Sequence, residues 1–154
     1  MESTDQHILA LLARDGRMSF TDIGRQTGLS TSAAQQRVRR LEQRGVIRGY
    51  RAEIDESALG RSLMAIIQIR PHGESSQDVE SVLESMPQLG SCFSVAGAAS
   101  YVCLAEVGSP HELDDLLTEI RERAKVNTAT TVVLRTLFHD RPPLDVPVTQ
   151  RSGS

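Results

Sequence analysis

One segment of polar and basic residues has the spacing of a helix that could bind a polyanion. Residues 30–41 read S-T-S-A-A-Q-Q-R-V-R-R-L, and Ala34, Val38 and Leu41 follow the i, i+4, i+7 pattern of a core-packed helix face. A helix that enters the major groove reads bases from its N-terminal part, and glutamine can bond adenine N6 and N7. We therefore predict base contacts by Ser30, Thr31, Ser32, Gln35 and Gln36. We predict phosphate contacts, which supply affinity rather than sequence information, by Arg25, Arg37, Arg39 and Arg40.

The charge around this segment differs from that of the whole chain. The 154 residues carry a net charge of −3, yet Arg25 to Arg51 include seven arginines and a single acid, Glu42. A polyanion responds to this local excess rather than to the total charge. The alternative interpretation is a basic, solvated helix face without a ligand. We favour double-stranded DNA as the partner because the charge coincides with helix caps and a tight turn.

The flanking residues predict two more helices. A first helix is expected from Thr4, and Ser19 is placed to cap a short second one. A glycine turn at Gly28 separates the second helix from the third, which Ser30 caps and Gly45 ends. Three helices with this turn between the second and third predict a helix-turn-helix.

The second half of the chain predicts a different domain. Residues 46–54 alternate enough for an extended segment, and residues 55–60 are typical of a turn-rich connector. The elements that follow are expected to be strand 63–69, helix 77–86, strands 92–96 and 101–107, a helix capped by Ser109, and strand 130–137. Their β-α-β-β-α-β order is the ferredoxin-like arrangement. We therefore predict an α+β protein with two domains.

Composition and missing motifs exclude several functional classes. With 39% hydrophobic and 24% charged residues, the chain has a globular composition. The longest uncharged run before the tail, residues 85–105, has 21 residues, but it includes a proline and several polar residues and so holds fewer than the roughly 18 apolar ones of a membrane helix. The acidic start of the chain is unlike a signal peptide. The four histidines lack metal-ligand spacing, and no phosphate-binding glycine loop or nucleophile elbow occurs. We expect a cytoplasmic protein with no membrane partner, metal, cofactor or catalytic site.

Several short motifs together resemble one family. They are Asp5 to Leu12, D-G-R-M-S at 15–19, G-L-S at 28–30, R-V-R-R-L-E at 37–42 and G-V-I-R-G-Y at 45–50. The series is similar to the Lrp/AsnC family of feast/famine transcription regulators over about residues 4 to 138. The resemblance implies a winged helix-turn-helix domain at 1–50, a connecting strand and hinge at 51–61, a ferredoxin-like effector and dimerisation domain at 62–139, and a flexible tail at 140–154. It also implies homodimers that assemble into octamers, and a response to amino acids.

The loop that would bind the effector departs from this family. The family's loop tends to read Gly-x-x-Asp followed by an aromatic residue, whereas this chain has Ser100 in place of the acid. A serine offers a neutral hydrogen bond but no charge pairing with an α-amino group. The resemblance places the effector at Gly97, Ala99, Ser100, Tyr101, Thr128 and Thr130. The alternative is that the loop is only a compact hairpin and the threonines only strand formers.

Three further alternatives remain open from the sequence. The resemblance extends to certain sirohaem decarboxylases, so an enzyme on the same fold is one of them, although the intact basic helix argues against it. Ser100 keeps open a second, a nucleoid-organising DNA binder without an effector. Cys92 and Cys103 lie on consecutive predicted strands and could face each other. We expect reduced thiols there, with a redox switch as the less common alternative.

Overall fold

The computed structural model describes residues 2–72 and 78–139. The chain forms two compact units, one up to Glu53 and one at Ile54–Leu137. The predicted tail at 140–154 and the turn at 73–77 lie outside the described residues. Within the described residues, no helix is long and apolar enough to span a bilayer.

The first unit contains three helices around one small core. Their bounds are α1 Ser3–Arg14, α2 Phe20–Thr27 and α3 Thr31–Gln43. Ile8, Ile23, Ala34, Val38 and Leu41 are buried together, so the predicted stripe of α3 does face the core. The predicted helix-turn-helix is therefore confirmed.

Local side-chain hydrogen bonds set the ends of these helices. The Asp22 amide donates to Ser19 Oγ at 3.1 Å and the Ala33 amide to Ser30 Oγ at 3.2 Å, as the capping pattern predicts. Gly28 ends α2 in the left-handed region with φ +72°. The helix start predicted at Thr4 is wrong by one residue, because α1 begins at Ser3 and Glu2 is its N-cap residue.

The extended segment predicted at 46–54 is not a strand in this chain, and the connecting strand implied at 51–61 does not form either. Residues 46–55 belong to no helix or strand, and a short 3-10 helix follows at Glu56–Leu59. The amides of Val46 and Ile47 both donate to the Leu41 carbonyl, which draws the segment back onto the end of α3. Alternation alone does not form a strand where no second strand pairs with it.

The second unit is a four-stranded antiparallel sheet with two helices. In chain order it contains β1 Leu63–Pro71, α4 Val79–Glu84, β2 Leu89–Ser94, β3 Tyr101–Val107, α5 Pro110–Ala124 and β4 Val126–Val132. The strands lie in the order β2-β3-β1-β4. The predicted ferredoxin-like order and the α+β class are confirmed.

Three predicted spans in this unit are wrong at their ends. The final strand was expected at 130–137 but is Val126–Val132, because Lys125 takes a left-handed conformation with φ 54° and turns α5 directly into β4. The strand expected at 92–96 begins at Leu89 and ends at Ser94. The helix expected at 77–86 is shorter, because Asp78 accepts from the Ser81 amide and caps it there.

The two faces of the sheet differ. Ala65, Ile67 and Ile69 on β1 pack with apolar residues of α4 and α5 in the main core. Side chains alternate along a strand, so the residues between them point to the other face. That second face carries apolar side chains that are half-buried or exposed in the single chain, and we call it the open face: Met64, Ile66, Phe93, Val102 and Leu104.

Candidate DNA interface and effector cavity

The exposed face of α3 is the candidate DNA interface. Ala34, Val38 and Leu41 are at most 1% exposed, which fixes the rotation of the helix about its axis. At about 100° per residue, Gln36 and Arg39 then lie on the opposite side of the helix. Both are exposed, and within the described chain neither side chain has a hydrogen-bond or ion-pair partner. This face is therefore free to meet a ligand.

The hydroxyl groups at the start of α3 are partly engaged within the domain. Ser30 Oγ accepts from the Ala33 amide and lies 3.2 Å from Ser32 Oγ. Thr31 Oγ1 donates to Thr21 Oγ1 of α2 at 3.4 Å. Ser30 and Thr31, both predicted to contact bases, thus also hold the helix in place.

Arg37 lies in a different environment from the other predicted phosphate ligands. Its Nη1 is 2.7 Å from Glu2 Oε2 and 2.8 Å from Asp5 Oδ1, with side-chain exposures of 26% for Arg37 and 13% for Asp5. Hydrogen bonds to Glu2 and Asp5 raise the pKa of the Arg37 guanidinium above its ordinary value. The guanidinium fastens α3 to the start of α1 rather than projecting outward with Arg39.

The sequence contained a signal for this position of Arg37. Arg37 is three residues after Ala34 and four before Leu41, so it borders the core-facing stripe. Two acids near the start of the first predicted helix, Glu2 and Asp5, were the available partners.

The remaining predicted arginines are on the surface. Arg39 and Arg40 are exposed and, among the described residues, without an ion-pair partner. Arg25 pairs with Asp22, whose carboxyl pKa is lowered first by its hydrogen bond from Ser19 and then by Arg25. An exposed pair at i, i+3 contributes little to stability, so Arg25 can exchange this partner for a phosphate.

Two features of the domain were not predicted from the sequence. A Cβ added at Gly24 would lie 2.6 Å from the Leu29 carbonyl oxygen, so the turn before α3 packs directly on α2 there. A glycine inside a short predicted helix is the signal that could have pointed to it. Tyr50 donates a hydrogen bond to Glu42 Oε1 at 2.9 Å, and burial together with this carboxylate raises the Tyr50 pKa to about 12.

The loop between β2 and β3 is the candidate effector site. The Ser100 amide donates to the Ile69 carbonyl at 2.9 Å, and Arg70 Nε donates to the Ala98 carbonyl at 2.6 Å. Gly97 adopts φ +156°, at the edge of the region that favours glycine. These bonds hold the loop against the end of β1 and place a guanidinium beside it.

A cavity of about 320 Å³ lies next to this loop. Ala99 and Thr128, both predicted effector residues, line it with Arg70 and Asn127. Its lining residues include a cation but no carboxylate, so an anionic group of a ligand is favoured there.

The other predicted effector residues are not part of that cavity's lining. Tyr101 donates to Glu80 Oε1 of α4 at 3.1 Å and lines a separate cavity of about 410 Å³. Thr130 is paired with Ile67 on β1. Gly97 and Ser100 contribute to the loop through their backbone: Gly97 by its conformation, and Ser100 by its backbone hydrogen bonds. The structure thus brings together two of the six predicted residues around one cavity.

A helix-turn-helix with a basic exposed face, in one chain with a ferredoxin-like domain that has a small polar cavity, defines the class of two-domain DNA-binding transcription regulators. Family models agree: an AsnC-type helix-turn-helix domain matches residues 1–42, and an Lrp/AsnC ligand binding domain matches residues 64–143. The chain belongs to the Lrp/AsnC family of transcription regulators.

The similar chains include proteins of Mycobacterium tuberculosis and Bacillus subtilis. The HTH-type transcriptional regulator LrpA is 43% identical over 142 residues, which cover 92% of this chain and 95% of LrpA. A solved structure of a feast or famine regulatory protein from Mycobacterium tuberculosis, complexed with L-methionine, is 42% identical with a TM-score of 0.86, and the match covers 91% of this chain and 96% of that one. The structure of Bacillus subtilis LrpC is 26% identical with a TM-score of 0.83, covering 90% and 97% of the two chains.

Proposed function

We propose that α3 enters the major groove of double-stranded DNA with Ser32, Gln35 and Gln36 against base edges and Arg25, Arg39 and Arg40 against phosphates. The observation that supports this most directly is the exposed face of α3, where Gln36 and Arg39 lie opposite a fully buried stripe. Ser30 and Thr31 position the helix through their hydrogen bonds. Arg37 is a positioning residue in this proposal and not a phosphate ligand.

We propose that the chain forms a homodimer through the open face of its sheet. α4 and α5 bury the other face, whereas Ile66, Val102 and Leu104 are only half-buried in the single chain. A contiguous apolar sheet face needs a covering layer. Two-fold symmetry would place the two DNA-binding domains on half-sites about 10 base pairs apart, or a multiple of that. Octamers, which the family resemblance implies, would be assemblies of such dimers.

The dimer can be tested by its mass in solution. We expect size-exclusion chromatography with light scattering to give a dimer or a multiple of it for the wild type. Leu104→Glu should shift the mass towards the monomer, while the volume-conserving Leu104→Met should not. A monomeric wild type, or a Leu104→Glu variant with unchanged mass, would show that the open face has another role.

We propose that an amino acid is the effector and that its carboxylate binds near Arg70. The related feast or famine regulatory protein has a solved structure in complex with L-methionine. In this chain the cavity volume of about 320 Å³ is at the small end of the roughly 300–1,000 Å³ usual for ligand pockets. Arg70 suits a carboxylate, and Ser100 offers no charge to the ammonium group. This proposed function requires no cofactor and no catalytic step. A protein that regulates transcription in this way would act on DNA in the cytoplasm.

The DNA-binding part is tested by fluorescence anisotropy. DNA from upstream of the protein's own gene is compared with random duplex, using the wild type, Gln36→Ala and Gln43→Ala. Gln43 is a matched control because it is the last residue of α3, far from the base-reading end. Losing a bidentate contact costs about 1–3 kcal/mol of discrimination, so Gln36→Ala should lower the specific-to-random ratio about 5- to 150-fold for each DNA-binding domain bound to the site. An unchanged ratio, or a wild type that binds neither DNA, would refute the assignment of α3.

The effector part is tested by thermal unfolding with each of the twenty amino acids. A ligand at 100 times its Kd should stabilise the native state by about 2.7 kcal/mol. We expect Arg70→Gln to abolish the shift in Tm and Arg135→Gln, an exposed arginine that does not line the cavity, to preserve it. If no amino acid shifts the wild-type Tm, the protein acts without this class of effector.

A further inference from the structure

Two cysteines face each other across the β2–β3 hairpin. Cys92 and Cys103 are direct partners in the antiparallel register, and their Sγ atoms are 2.6 Å apart. Directly opposed residues have Cα atoms about 4.5–5.5 Å apart, and disulfides span about 4.4–6.8 Å. Both thiols are free in this structure. The strand register therefore already provides the backbone geometry that a disulfide needs.

The two thiols differ sharply in access. Cys103 is 0% exposed, and this burial raises the pKa of its thiol above the ordinary range. Cys92 is exposed and lines the cavity of about 410 Å³ beside α4. A dissolved reagent can thus reach Cys92, while Cys103 can react only with a group that Cys92 already carries.

We propose that Cys92 and Cys103 form a reversible modification site, in which a low-molecular-weight disulfide converts the two thiols into an intramolecular disulfide. In the first step Cys92 Sγ loses its proton and attacks one sulfur of the reagent, whose other half leaves as a thiol. In the second step Cys103 Sγ loses its proton, attacks Cys92 Sγ and expels the remaining half as a second thiol. The protein loses two electrons and two protons, and the reagent disulfide is reduced to two thiols.

The cavity beside Cys92 selects among such reagents by charge. Glu80 and Glu84 both line it, and Glu80 accepts the Tyr101 hydroxyl hydrogen bond. These carboxylates repel an anionic disulfide and attract a cationic one. We therefore expect cystamine, which is cationic, to react faster than oxidised glutathione, which carries net negative charge.

The test uses the full-length protein, cystamine and peptide mapping after alkylation in denaturant. The wild type should lose two hydrogens, carry no adduct, show a Cys92–Cys103 link and recover both thiols with dithiothreitol. Cys103→Ala should stop at a cysteamine adduct on Cys92, because no second thiol resolves it. Cys92→Ser should stay unmodified while folded, since Cys103 is inaccessible. Circular dichroism checks that both variants fold. The peptide map of the wild type tests the proposal even if a variant does not fold.

The outcomes separate the proposal from its alternatives. The proposal would be overturned if the wild type kept the cysteamine adduct or formed a disulfide between two chains. It would also be overturned if the wild type stayed reduced under conditions in which the Cys103→Ala variant reacts completely. The ratio of cystamine to oxidised-glutathione rates should exceed one and fall several-fold in Glu84→Gln, which leaves the Glu80–Tyr101 bond intact. An unchanged ratio of rates in Glu84→Gln would show that the cavity carboxylates do not select the reagent by its charge.

Discussion

Arg37 and Arg39 are two residues apart on α3 but have opposite surroundings, and this contrast gives a matched pair of variants. Arg39 is exposed, whereas Arg37 is held by Glu2 and Asp5. Arg37→Gln and Arg39→Gln remove the same charge from the same helix, so their effect on the long-range field is the same. We expect only Arg39→Gln to remove a phosphate contact.

The size of the effect follows from counterion release. Each phosphate contact contributes about 0.9 to the slope of log K against log salt, and two DNA-binding domains of a dimer would contribute about 1.8. Over a fourfold rise in salt, from about 50 to 200 mM, the wild type should therefore lose roughly tenfold more affinity than Arg39→Gln. Arg37→Gln should keep the wild-type slope but have a lower Tm, because Asp5 is 13% exposed and loses its partner.

The assay is fluorescence anisotropy across this salt range, with Tm measured by calorimetry on the same samples. Equal flattening of the slope in both variants would show that Arg37 leaves its carboxylates to bind DNA. A wild-type slope in both variants would show that Arg39 does not contact the backbone. In either case the reasoning from the rotation of α3 would be wrong.

Three further substitutions test other parts of the molecule. Gly24→Ala places a Cβ 2.6 Å from the Leu29 carbonyl oxygen, and overpacking of this kind should cost about 1–3 kcal/mol in urea unfolding; an unchanged midpoint would contradict the close packing. Ser100→Asp should give a larger Tm shift with amino acids than the neutral control Ser100→Asn, and equal shifts would show that the acid at this position is not the determinant. The Tyr50 pKa is raised from 10.0 to about 12, so its contribution to stability is present below pH 10 and is lost as pH rises towards 12. Tyr50→Phe should remove this loss, measured by unfolding at pH 9 to 12, and a retained loss would assign it to another group.

Features that depend on neighbouring residues in the chain were predictable from the sequence. Ser19, Ser30 and Ser109 were predicted as helix caps, and each accepts the amide three residues on. The order of strands and helices followed from short patterns in the same way. Such features are encoded locally because donor and acceptor are only a few residues apart.

Features that depend on distant residues were not predictable in the same way. The partners of Arg37 are 32 and 35 residues away, and nothing in the pattern of α3 selects them. Both ends of β4 were predicted wrongly. The strand starts early because Lys125 turns the chain directly into it, and it stops at the last strand pairing, Val132, although β-branched residues continue beyond. For the candidate site, residue types at the loop were predictable, but which of them share a cavity depends on the register of β1 with β3 and β4.

The effector proposal and the disulfide proposal for the second unit are coupled through one hairpin. A bond between Cys92 and Cys103 closes a ring of chain that contains the whole loop at 97–100, and the Ala98 carbonyl of that loop is bonded to Arg70 in the effector cavity. If closing the ring changes amino-acid affinity by some factor, linkage requires the amino acid to change the thiol–disulfide equilibrium by the same factor. Measuring the reduction potential with and without the amino acid therefore determines the coupling independently of any binding measurement. A potential that does not change with saturating ligand would mean that the loop tolerates the ring without altering the cavity.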